Sequence, residues 1–366
     1  MILNKTQSSL LAALTFTLTA CGGSSSDSSE QDNTGATNNA AAANYSTLDA
    51  SMAPAYLDLA SGHNVAANEE WHISYQKYVG FSINSDTGIE ACVAKQYETL
   101  YDANGEAVKT EFSALTRNNT ENDFNNVRRD GCTDFTSDEV ESQFTDWYTY
   151  NSTTHVITVN NDDSNGWIIR SSTADSNGNY AYTRLKATAY DRNGMTFSSE
   201  LWDNNSRSFL AAESTGALSP KNGTVYWNLE DNTTSTTEFA GWDLKIEAQG
   251  YASHIYVNGG ASGSGDAGVG SALLVANVDA VTDPTSTQQV YKYFGDSASG
   301  PLSTPGSFGP FEYGVGGDNH EMWPTFAVYI LKSGERYFKA QVVSNKGEDG
   351  TQNSGTLYIR HQEIIE

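Results

Sequence analysis

The residues of this chain best suited to hold a metal or form a covalent link are its 6 histidines and 3 cysteines. Three histidines fall in each half: His63, His72 and His155, then His254, His320 and His361. Only His155 and His320 sit at comparable places. Each follows an aromatic segment, Trp147-Tyr-Thr-Tyr150 or Phe311-Glu-Tyr313. Each precedes a strand-like apolar run, Trp167-Ile-Ile-Arg170 or Ala327-Val-Tyr-Ile-Leu-Lys332. An imidazole offers one nitrogen to a metal while the other is held by a neighbour, so these two rank first as donors, one per half. Met322 stands two places after His320 and would share its strand face. Met195 and His254 are reserves. His63 follows Gly62 in an apparent turn and reads as solvent-facing. His72 is replaced by Asp243 in the second half, which argues against a shared role.

Catalytic signatures are weak. Gly263-Ser-Gly-Asp-Ala-Gly268 has the spacing of a dinucleotide loop, but it opens no amphipathic helix and Asp266 would repel phosphate, so it reads as a flexible loop. His320-Glu-Met-Trp-Pro324 begins like a zinc-protease motif but lacks its second histidine. No Gly-x-Ser-x-Gly elbow is present, and no carboxylate pair is singled out by spacing. The expectation is a protein that is not an enzyme.

The first 21 residues read as an export signal, with Lys5 ahead of a short apolar run from Leu10 to Leu18, too short to span a bilayer. The run ends in Leu18-Thr-Ala-Cys21, which resembles the lipobox of bacterial lipoproteins. That resemblance implies lipidation of Cys21 and, with Gly22 next, delivery to the outer membrane. Residues 22–44 are a low-complexity tether of Gly, Ser, Asp, Asn and Ala. In an oxidising compartment the remaining pair, Cys92 and Cys132, is expected to form a disulfide.

The elements that must position these residues are strands. Aromatics are abundant, Gly numbers 32 and Pro only 7, a composition of strands and tight turns. The formal charge of −25 disfavours nucleic acid and anionic lipid as partners. Trp242 to Asn258 repeats the grammar of Trp71 to Asn84: a leading tryptophan, alternating residues, and a closing Asn turn. A tryptophan that opens a strand is expected in the core, its N–H satisfied by backbone. Further blocks recur in the same order: 224–229 after 55–60, 327–332 after 167–170, 336–343 after 180–187, and 355–360 after 194–199. The expected organisation is all-β, with two tandem antiparallel domains, 45–203 and 204–366.

The Trp-led strand closing in Asn, the Trp-Tyr-x-Tyr segment, the Ile-Ile-Arg-like strand, a Tyr-x-Lys strand and a final Gly-Thr-hydrophobic strand together resemble the HmuY-like lipoproteins. The resemblance covers most of each half. It implies a lipid-anchored haem-binding protein that takes haem from a carrier and passes it to an outer-membrane receptor. Haem iron takes His or Met axial ligands. His155 and His320 are then the expected iron ligands, with Met322, His254 and Met195 behind them.

Overall fold

The structure, a computed structural model, describes residues 42–160, 165–191, 193–221, 223–249, 252–270, 277–317 and 320–365. Cys21 and the tether up to residue 41 lie outside the described residues. No helix among the described residues is long and apolar enough to cross a membrane.

The chain is all-β, as its composition requires. Its first half lays down β1 (Asn44–Asp49), β2 (Ala55–Asp58), β3 (His63–Val65), β4 (Ile73–Gln76), β5 (Gly80–Ile83) and β6 (Glu90–Lys95). An excursion follows with two short helices, α1 (Lys109–Ala114) and α2 (Glu121–Asn126). Then come β7 (Glu139–Glu141), the hairpin β8 (Tyr148–Asn151) and β9 (Val156–Val159), and three long strands, β10 (Gly166–Ala174), β11 (Tyr180–Asp191) and β12 (Gly194–Asp203).

The second half repeats that order. Short edge strands β13 (Ser208–Phe209) and β14 (Glu213–Ser214) lead to β15 (Val225–Asn228), β16 (Thr233–Ser235), β17 (Leu244–Gln249) and β18 (Ala252–Val257). After β19 (Gly268–Gly270), β20 (Tyr293–Phe294) and β21 (Ser297–Ser299) comes the hairpin β22 (Phe311–Tyr313) and β23 (Met322–Pro324). The long strands β24 (Val328–Ser333), β25 (Arg336–Ser344) and β26 (Thr356–Glu363) close the chain.

The sheets make the repeat explicit. One four-stranded sheet runs β3-β2-β4-β5 and its counterpart runs β16-β15-β17-β18. Strand alternation sets their inner faces: Ile73 and Tyr75 point inward from β4, Val225 and Trp227 from β15, with partly exposed neighbours between them. The larger sheets also correspond. One runs β1-β26-β25-β24-β6, the other β13-β12-β11-β10-β19-β20.

Each larger sheet mixes the two halves. β24, β25 and β26 pair with β1 and β6 from the first half, while β10 pairs with β19 from the second. One core joins Leu57, Ile73, Phe81 and Ile83 to Phe311, Tyr329, Phe338 and Ile359. The other joins Trp147, Trp167, Ile169 and Phe197 to Trp227, Leu244, Ile246 and Val257. Each fully buried side chain of this size contributes about 1.5–3 kcal/mol, so neither core would survive on residues from one half alone. The boundary expected between 203 and 204 falls inside the second core, with Phe197 and Trp227 in contact across it. The two repeats have exchanged their C-terminal strands.

The exchange passes through a two-stranded ribbon, where β7 pairs antiparallel with β21, Ala298 opposite Val140. An aspartate stands before each strand of the ribbon, Asp138 half-buried and Asp296 fully buried. Asp138 accepts the Ile83 N–H at 2.7 Å, and Asp296 accepts the Val257 N–H at 2.8 Å. Ile83 and Val257 are the last residues of β5 and β18. Burial pushes both carboxyls up to about 6.

Cys92 and Cys132 are joined as a disulfide, Cα atoms 6.3 Å apart, which ties the excursion to β6. The helices there are anchored by Phe112 and Phe124. The Lys339 ammonium bonds the Phe124 carbonyl near the end of α2 at 2.9 Å, and burial holds its pKa down at about 8.

Candidate functional site

His155 ends the tight turn between β8 and β9. The turn forms because the Asn151 side chain accepts the N–H groups of Thr153 and Thr154, at 2.9 and 3.0 Å. The His155 N–H then closes on the Asn151 carbonyl at 2.8 Å. This places His155 at φ 55°, the left-handed region that few non-glycine residues adopt. On β8, the Tyr150 hydroxyl lies 2.6 Å from Nδ1 of His155. The hairpin packs on the second core through Tyr148, Ile157 and Val159. Beneath it, Trp147 stacks on Tyr190 with ring centroids 5.3 Å apart.

Beside this hairpin lies a cleft of about 890 Å³. His155, Tyr150, Val156 and Ile157 form one wall, and Tyr190 and Pro220 belong to the others. Among the described residues, Lys221 lines the cleft as a cation and Asp191 as an acid. Val156 is 53% exposed, an apolar side chain held open to the cleft.

The β22–β23 hairpin builds the same pair again. His320 stands at φ 58° and its Nδ1 is bonded to the Tyr313 hydroxyl. Here the aromatic edge is Phe308, which meets Tyr313 at 5.9 Å, and both rings are exposed. The matching of His155 with His320 in the sequence therefore corresponds to matching geometry. The two histidines stand on different hairpins over different cores, and Nδ1 in each is engaged by tyrosine.

The reserve donors are dispersed. Met195 is completely buried in the second core. Met322 packs against the first core, and His254 lies on β18 stacked on Tyr256. His361 is buried against the Ser46 hydroxyl at 2.9 Å. Among the described residues, no three His, Cys, Asp or Glu side chains converge as a metal-holding group.

His72 and Asp243, matched in the sequence but expected to have no shared role, do the same work. Leu59 donates its N–H to Nδ1 of His72 at 3.3 Å, and Leu229 donates to Oδ2 of Asp243 at 2.8 Å. Each buried side chain satisfies the backbone where the strand bends. Trp242 is buried as expected, but its N–H bonds Glu238 and not backbone. Trp71 is only half-buried, its N–H on the Ala67 carbonyl. The glycine loop is also unlike its expectation. Ala261, Gly265, Asp266 and Ala267 all donate backbone N–H bonds that pin it to Asp296, Asn258 and Ser172.

Sequence reasoning missed Lys221, Pro220 and Tyr190. Tyr190 pairs with Met195, which bridges to Leu218 just ahead of Pro220 and Lys221, so strand pairing rather than any local pattern brings them together.

No protein-family model, curated protein or solved structure matches this chain. The HmuY-like resemblance rests on the residues quoted for it.

Proposed function

We propose that this is a non-enzymatic, lipid-anchored haem- or porphyrin-binding protein of HmuY-like type, tethered to the outer membrane through Cys21. It captures haem from a carrier and hands it to an outer-membrane receptor, with no bond made or broken beyond iron ligation. The observation that carries this reading is His155 on the wall of a cleft of about 890 Å³, with Tyr150 at its Nδ1. The volume lies within the range of small-molecule sites, about 300–1,000 Å³. With Nδ1 donating its hydrogen to the Tyr150 oxygen, Nε2 keeps a lone pair for iron, the arrangement that orients most metal-bound histidines. Val156, Ile157 and Pro220 offer the macrocycle an apolar wall, and Lys221 can pair with a propionate. His320 holds the corresponding turn of the other repeat, but the cleft beside His155 is the one that takes the haem.

The second reading is an interaction lipoprotein of the same fold without a haem site. The dispersal of the other donors favours it: with Met195 in the core and His254 on another face, only one imidazole lines the cleft. A ferric haem titration of residues 42–366, one compact unit, separates the two. Haem capture gives a saturable, shifted Soret band. A spectrum that stays that of free haem leaves the interaction lipoprotein.

A further inference from the structure

A second cleft, of about 340 Å³, lies on the other repeat, away from His155. Its floor is the outward face of β4 and β5, where Ser74 pairs with Ser82 and Gln76 with Gly80. Tyr56 and Trp71 form an aromatic wall with centroids 5.2 Å apart. The crossover ribbon and the pinned glycine loop close the opposite side through Asp138, Val140, Ala298 and Gly260.

The corresponding face of the other repeat is filled. There Lys245 pairs with Tyr256 and Glu247 with His254, at the positions of Ser74, Ser82, Gln76 and Gly80. The Lys245 ammonium lies over the Tyr256 ring at 5.0 Å and 3.1 Å from Glu247, and His254 stacks on Tyr256. One fold, given Ser74, Ser82 and Gly80 at three of these positions, opens a cleft. Given large residues there, it closes it.

The two aspartates differ in the same direction. Asp296 accepts the Val257 N–H through Oδ2 and the Gln143 N–H through Oδ1. Gln143 stands five places after Asp138 and donates to Asp296; the residue five places after Asp296, which would donate in return to Asp138, is Pro301, and proline has no N–H to give. Oδ1 of Asp138 therefore receives no hydrogen bond among the described residues, and the half-buried side chain lines the cleft. A carboxylate oxygen left open on the wall of a cleft is free to accept a hydrogen bond from a ligand hydroxyl.

We propose that this cleft binds a neutral pyranose sugar, with a C–H face on the Trp71–Tyr56 wall and a hydroxyl donating to Oδ1 of Asp138. The amides of Gln76 and Asn84 and the carboxylate of Asp86 supply further partners for ring hydroxyls. Among the described residues no Lys or Arg lines the cleft, which disfavours phosphorylated or carboxylated ligands. The site is independent of the haem cleft.

The test is a titration of the full chain with D-glucose, D-galactose, D-mannose and N-acetyl-D-glucosamine, followed by tryptophan fluorescence and saturation-transfer NMR, with D-glucosamine as a cationic comparison. At least one neutral sugar binds saturably in the millimolar range. Ser82→Tyr, which copies Tyr256 of the filled face and so suits the strand, abolishes that binding. Trp71→Ala and Asp138→Asn each weaken it about tenfold. Haem binding is unchanged in all three. The proposal is overturned if no neutral sugar saturates the chain at tens of millimolar, if glucosamine alone binds, or if Ser82→Tyr binds as the parent does.

Discussion

Asp138 and Asp296 hold the same position in two bodies: each fixes the last backbone N–H of a strand and then leads the chain across to the other core. They are the hinges of the exchange between the repeats. They differ in that Asp296 also receives the Gln143 N–H at 2.9 Å.

That difference sets the order of two variants. Asp296→Asn places an NH2 group against one of two buried N–H donors, and hydrogen bonds to a charged acceptor are worth about 1.5–3 kcal/mol each. Urea unfolding of residues 42–366 should lose about 2–3 kcal/mol in Asp296→Asn. Asp138→Asn, whose amide oxygen can keep the single Ile83 bond, should lose clearly less. Equal losses would deny the asymmetry.

The same carboxyls predict a pH dependence. Both rise from 3.8 to about 6 on folding because burial penalises their charge. The folded state therefore holds the proton more tightly. The stability this confers is complete below the unfolded value and is lost as pH rises through about 6. A rise of this size corresponds to about 3 kcal/mol per residue. The stability of the parent minus that of Asp138→Asn should fall by up to about 3 kcal/mol between about pH 4 and about pH 7. A flat difference would mean that Asp138 titrates as an ordinary surface acid.

The exchange of strands makes a prediction about a nick. Residues 204–207 between β12 and β13 are exposed, so limited proteolysis there should cut the chain. The fragments should still elute as one species in native size-exclusion chromatography and part only in denaturant, because each core needs both. Fragments that separate without denaturant would show two self-sufficient halves.

How much of this was legible in the sequence follows from what a strand pattern encodes. The inward alternation of Ile73 and Tyr75, or of Val225 and Trp227, is local, so the repeat of blocks could be read in order. Which copy a strand pairs with is not local. β24 would suit the edge beside β6 or beside β19 equally well, since the two edges correspond, and nothing in its own residues chooses. The tandem reading failed at that point. The short helices were missed because six residues with one buried phenylalanine each carry no helical period. The His155–His320 correspondence was legible because each is set by a local turn. The cleft beside His155 was not, since Tyr190 and Lys221 reach it from distant segments. His72 and Asp243 misled for a chemical reason: an imidazole nitrogen and a carboxylate oxygen are different residues but the same acceptor.

The disulfide closes a loop of 40 residues. By the loop-entropy relation it stabilises the folded chain by about 4 kcal/mol. A Cys92→Ala, Cys132→Ala variant should unfold at lower urea by about that amount. A loss under about 1 kcal/mol would mean that the excursion is held by Phe112, Phe124 and the Lys339 bond without the bridge.

The haem reading is tested most directly by comparing Soret titrations of His155→Ala and His320→Ala with the parent chain. The account predicts that His155→Ala loses the shifted band while His320→Ala keeps it. A shifted, saturable band that survives in His155→Ala would contradict the assignment of iron to the cleft beside Tyr150.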